Sequence, residues 1–314
     1  MNASIDLGSR RFLQPGRWLW LRVLLWGLAL LVLVIVPSSL VAGVVYAAGA
    51  LATGTPLDRL MDAPGPVHLL AMVAMAAAAL ATYSGLVIWG EQRDPTELAL
   101  GPAPRELIAG LAIGGAMMAL VVLVSQAAGW MLISRSSVTD AWRAAAMAVE
   151  SGVIEEVALR LIVFRLLWRA FGPWAALGLS ALLFGVLHIT NPNSSWFAAL
   201  CIAAEAGVML AGFYMLTGRL WVSIGVHAGW NFTQGWIFGA AVSGTDFFEG
   251  GPFMLEPATG VSEILSGGAF GPEASLAGLA VGTLVGAATL WLAWKRGRFA
   301  IGTGSAVPDG AANP

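Results

Sequence analysis

The chain has 314 residues, 58% of them hydrophobic and 11% charged, with a net charge of −2. A soluble domain carries about 25% charged residues, so this composition excludes an ordinary water-soluble fold and points to lipid. No basic stripe lies outside the predicted inner loops, which argues against a nucleic-acid partner, and the single cysteine, Cys201, excludes an intrachain disulfide.

Met1–Pro15 is a polar stretch that reads as a disordered N-terminus. Apolar runs of about 20 residues, enough to span a bilayer, then recur at approximately 18–48, 66–90, 106–134, 142–167, 174–190, 196–217, 220–240 and 274–294. The first is too long for a cleaved signal peptide, whose apolar core is ~7–15 residues. Tilt, or a kink at Pro37, absorbs the extra length of the first and third. Between the second and third, Pro95, Pro102 and Pro104 stiffen the loop 91–105. The fifth ends sharply at Thr190-Asn191-Pro192. The segment 243–273 is acidic, rich in Gly and Pro and free of basic residues; it reads as a solvated loop, or as one that lies on the membrane or caps a cavity. Gly302–Pro314 reads as a disordered tail, leaving one transmembrane bundle over 16–301 and no second domain.

Orientation follows from the basic residues. With both termini cytoplasmic, the inner segments hold Arg10, Arg11, Arg17, Arg22, Arg93, Arg105, Arg165, Arg169, Arg219, Lys295, Arg296 and Arg298, and the outer segments only Arg59, Arg135 and Arg143. Tryptophans cluster near predicted helix ends, as expected of an interfacial belt. The expected fold is therefore all-α: a polytopic membrane bundle of about eight transmembrane helices with an intramembrane polar cavity.

The fourth run contains Glu155, Glu156 and Arg160. Each ionised side chain at membrane depth costs at least ~2.5–3.5 kcal/mol, so such groups persist when paired, wetted or used. Glu156 and Arg160 are i,i+4 helical neighbours that can pair, whereas Glu155 projects ~100° away and is left as a candidate general base. On the fifth run Phe184 and His188 share a face; on the seventh, His227 and Asn231 do. Each element taken alone also fits a structural role: an ion pair, a satisfied histidine at a helix end, an interhelical polar clasp. Together they suit hydrolysis, with a glutamate activating water, a histidine positioning it, and His227 with Asn231 stabilising an oxyanion. Glu205, in the sixth run, is the further intramembrane acid and reads as a structural partner or cavity liner. The helical zinc-protease motif His-Glu-x-x-His is absent.

Glu155-Glu156-Val-Ala-Leu-Arg160, Phe184-Gly-Val-Leu-His188 and His227-Ala-Gly-Trp-Asn231, in this order on successive helices, resemble the motifs of the CAAX-protease and bacteriocin-processing family, whose members are similar to the type II CAAX prenyl endopeptidase. The resemblance covers roughly 100–294 and takes in residues 216–227 and 267–273. It implies an intramembrane endopeptidase in which Glu155 activates water, His188 helps to hold it, His227 and Asn231 form the oxyanion site, and Glu156 and Arg160 support them. The family has been described both as glutamate-type and as metal-dependent. In the second case Glu155, His188 and His227 would bind a divalent metal such as zinc; in the first, no cofactor is needed.

The expected partners are membrane lipid and a membrane-associated peptide or protein substrate. The lysine-poor, Ala/Gly/Arg-rich composition suggests a bacterial inner-membrane protein, and hence a substrate other than a prenylated one. The alternative is a membrane scaffold or bacteriocin-immunity protein that keeps the fold without the chemistry.

Overall fold

The long apolar runs become helices because a chain in lipid must satisfy its backbone hydrogen bonds internally. In a computed structural model, which describes residues 5–247 and 250–299, the protein is mostly helical. Among the described residues, six helices are long and apolar enough to cross a membrane, which supports an integral membrane protein. They are α1 (Leu19–Thr53), α2 (Gly65–Glu91), α3 (Ala103–Ala127), α5 (Pro173–Thr190, its last turn tightened), α6 (Trp196–Thr217) and α8 (Leu276–Lys295). Two further continuous helical segments, α4 (142–171) and α7 (221–237), coincide with the fourth and seventh apolar runs. The first carries too many charges, and the second is too short, to meet the same criterion.

Local signals set the helix ends. Ser195 and Ser275 cap α6 and α8 by accepting the N–H groups of Ala198 and Gly278. Gly54 and Gly218 close α1 and α6 in the left-handed conformation that only glycine adopts freely. Pro37 lies inside α1, where it removes a backbone donor, and next to it Ser38 donates to the Val34 carbonyl at 2.8 Å.

Two glycine pairs bring α3 and α7 into backbone contact. A Cβ on Gly110 or Gly114 would strike the carbonyl of Val222 or Val226, and one on Gly225 or Gly229 would strike that of Leu107 or Leu111. This is the small-residue packing on which membrane helices rely. On another side of α7, Gly152 of α4 approaches Ile224 and Ala228, and Ser223 donates to the Leu210 carbonyl of α6 at 3.0 Å. Trp221 to Asn231 are consequently all buried.

Three sequence expectations are corrected. The third span does not run to 134: α3 stops at Ala127, and Met131–Arg135 forms a strand, β1, antiparallel to β2 (Phe253–Pro257), with Met131 opposite Pro257. An apolar run this short has no period that separates strand from helix, and its partner lies far along the chain. Within the stretch 1–15, residues 5–15 are packed rather than disordered: Ile5, Leu7 and Leu13 are buried, and Arg169 donates to the carbonyls of Gly8 (2.7 Å) and Leu13 (2.9 Å). Residues 1–4 and the tail 302–314 lie outside the described residues. The segment 243–273 is not simply solvated, since Leu255, Phe270 and Glu273 are buried and it contributes β2.

One end of the bundle is locked by charge. Arg165 donates to both oxygens of Glu91 (2.7 and 2.8 Å), Arg93 bridges Glu91 and Glu97, and Trp26 donates to Glu91 at 3.1 Å. Glu91 and Arg165 are both buried. Burial pushes the Glu97 carboxyl upward, but hydrogen bonds and charge from Arg93 outweigh it and hold Glu97 below the usual carboxylate range.

Candidate active site

The Glu155-Glu156-x-x-x-Arg160 motif sits where its helix departs from ideal geometry. α4 widens to π-helical turns over Ser151–Glu155 and Val157–Phe164, α6 over Ala203–Gly207 and α7 over Thr233–Ile237. Each wide turn shifts the angular position of the side chains that follow, and such bulges occur often at functional sites. All three helices carry buried polar residues beside these turns: Glu156 and Arg160, Glu205, and Gln234.

Glu156 is the hub. It is fully buried, pairs with Arg160 at 2.9 Å, and its Oε1 stands 3.0 Å from His227 Nδ1. Arg160 also reaches α6, where its Nη2 donates to the Ala206 carbonyl at 2.8 Å. A carboxylate only accepts, so Nδ1 of His227 carries the hydrogen, which fixes the ring and turns Nε2 away from Glu156. Nε2 then lies 4.0 Å from Glu155 Oε2. The Glu155 side chain is about a third exposed, unlike that of Glu156, and its Oε2 is buried without a protein partner. The two adjacent acids thus have different environments, as their ~100° helical separation predicts.

Phe184 is the second organising side chain. Its ring lies under the Arg160 guanidinium at 4.7 Å and makes edge contacts with His188 (4.8 Å between centroids) and His227 (6.3 Å). His188 Nδ1 is 2.8 Å from the Phe184 carbonyl, an acceptor, so that nitrogen donates and Nε2 is left as an acceptor. Asn231 donates one Nδ2 hydrogen to Ser151 Oγ at 3.0 Å, which leaves its second for another group.

A cavity of about 30 Å³ lies among these helices, with His188, His227, Asn231, Phe184, Glu205, Ser243 and Glu273 in its wall. Glu155, Glu156 and Arg160 are not lining residues; the two acids stand against His227, and Arg160 stands against Phe184. The predicted residues are therefore gathered around His227 and Phe184 rather than all facing one space. Sequence reasoning missed Ser151 as the partner of Asn231, Phe184 as a packing hub, and Ser243 and Glu273 as wall residues. Glu273 lies in the 267–273 segment that carried part of the resemblance, but without its contacts it reads as one more loop acid. Its Oε1 accepts the backbone N–H of Ser243, and burial pushes its carboxyl up to about 7 despite that bond.

Among the described residues, no three His, Cys, Asp or Glu side chains stand together in a way that could hold a metal ion.

No curated protein and no solved structure matches the chain. A family model does match, over residues 136–233, the stretch that contains all three motifs. Across that stretch the chain is similar to the family described as type II CAAX prenyl endopeptidase Rce1-like, in agreement with the resemblance carried by Glu155-Glu156-x-x-x-Arg160, Phe184-x-x-x-His188 and His227-x-x-x-Asn231.

Proposed function

We propose that this protein is an intramembrane endopeptidase that hydrolyses a peptide bond in a membrane-associated protein or peptide. The observation that carries the reading is the Glu156–His227–Glu155 alignment: a buried carboxylate fixes one face of an imidazole whose other nitrogen looks toward a second, less buried carboxylate. The 4.0 Å gap is longer than a hydrogen bond. In this reading a water sits between the two groups, and Glu155 takes its proton as the water attacks the carbonyl carbon. As an imidazolium, stabilised by Glu156, His227 donates from Nε2 to the developing oxyanion, and the free Nδ2 hydrogen of Asn231 supplies a second donor. His188 Nε2 accepts from the water and orients it. Glu155 then passes its proton to the leaving amine, the C–N bond breaks, and a carboxylic acid and an amine are released.

The reading includes eight crossings, with α4 and α7 as spans that carry the chemistry, both termini cytoplasmic, and the cavity at membrane depth. A bacterial inner membrane and a non-prenylated peptide substrate complete it. The test is cleavage of a quenched peptide library by purified wild type and Glu155→Gln, with and without chelator. Loss of cleavage in the variant together with retention in chelator supports water activation by glutamate. Loss in both moves the mechanism to a metal, and equal cleavage by the two proteins refutes the role of Glu155.

A further inference from the structure

The cavity has a second polar wall that the hydrolytic scheme does not use. Glu205 is 1% exposed, lines the cavity, and has one carboxylate oxygen, Oε2, without a protein partner. It cannot easily withdraw, because its Cα and Cβ are pressed against Gly282 of α8 so closely that a Cβ there would overlap them. Glu273, also buried, lines the same cavity and is anchored by the Ser243 N–H. Among the described residues no Lys or Arg lines this space. His227 lines the same space, but its charge as an imidazolium is matched by Glu156, so the two acids share a low-dielectric pocket with no Lys or Arg to offset them, an arrangement that disfavours two anions and favours a bound cation or proton.

Size decides which cation. At about 30 Å³ the cavity has room for roughly one or two water-sized groups. A primary ammonium is compact, carries three donors and matches a wall of acceptors, whereas a guanidinium is a larger planar fork. We propose that Glu205 and Glu273 form a subsite that binds a primary ammonium group of the substrate, from a lysine side chain or a free N-terminus. The substrate assignment rests on the peptidase reading; the ammonium site itself does not.

The test begins with a readout independent of activity. Thermal unfolding of the purified protein in detergent is followed in methylammonium chloride and in tetramethylammonium chloride at equal ionic strength. A ligand that binds the folded state raises Tm with its concentration. Wild type is expected to gain stability in methylammonium over tetramethylammonium, and Glu205→Gln and Glu273→Gln to lose that difference while folding. Equal curves in the two salts for wild type, as a site for water alone would give, or a difference kept in both variants, overturns the proposal.

The source is then resolved by peptide binding to the Glu155→Gln protein. One peptide carries lysine behind an acetylated N-terminus, a second has a free N-terminus and no lysine, and a third is fully acetylated. Binding of the first or second at least about tenfold tighter than the third, the size of a charge-assisted hydrogen bond, identifies the source. Equal binding of all three overturns the substrate role. A protein that responds to methylammonium yet cleaves no peptide refutes the peptidase reading while keeping the subsite.

Discussion

Neighbouring acids are told apart by what surrounds each of them. Glu156 is enclosed by Arg160 and His227, whereas Glu155 keeps an open side. Glu156→Gln preserves volume but removes the charge that holds an imidazolium at His227, and kcat is expected to fall by about 10²-fold or more, as for a lost general-catalysis partner. Asn231→Ala is expected to lower kcat by about 10²–10³ with KM little changed, the pattern of a donor used mainly in the transition state. Its effect on stability should be small, because interhelical hydrogen bonds in membranes average ~0.6 kcal/mol; steady-state kinetics beside a detergent melt separates the two. Glu273 predicts a pH effect. Its folded carboxyl titrates near 7 against a reference of 4.5, so the folded state holds a proton that the unfolded chain releases. Stability from this group is complete below about 4.5 and is lost as pH rises through 7. Unfolding curves across that window should flatten in Glu273→Gln.

At the level of elements, α7 positions His227 and Asn231 because two neighbours grip it through glycine. Gly229→Val forces a side chain into the Leu111 carbonyl and is expected to cost at least about 1–3 kcal/mol, with activity falling through displacement of the flanking site residues. Gly43→Ala, where nothing stands within 4 Å, should leave both Tm and activity nearly unchanged. Much at this scale was legible in the chain: apolar runs placed the helices, and i,i+4 spacing paired Glu156 with Arg160 and set Phe184 beside His188. The strand at Met131–Arg135 was not, since it exists only through its pairing with Phe253–Pro257. The wide turns in α4, α6 and α7 were equally hidden, because the 3.6-residue period assumed in reading a helix contains no sign of them.

The whole molecule depends on contacts between distant parts of the sequence. Glu91 and Arg165, 74 residues apart, meet as a buried pair that ties α2, α4 and the N-terminal segment together. Arg165→Met leaves Glu91 buried with less compensation and should cost about 3–5 kcal/mol; the Glu91→Met/Arg165→Met double variant should recover much of that loss, as apolar replacement of buried ion pairs often does. Double-mutant melting curves check this, and additive losses would contradict it. Charge counting along the sequence assigned Arg93 and Arg165 to inner loops but could not reveal that they neutralise Glu91 and Glu97. The same limit applied to the candidate site, where three motifs supplied candidate residues and only the fold showed that Glu155 and Glu156 stand against His227. Water activation by Glu155 is probed most sharply by the kcat of Glu155→Gln relative to wild type, on a peptide that wild type cleaves, with Tm measured on the same samples. The expected result is a fall of about 10²–10⁴-fold at nearly unchanged Tm. Undiminished turnover, or a loss that merely tracks unfolding, would contradict a catalytic Glu155.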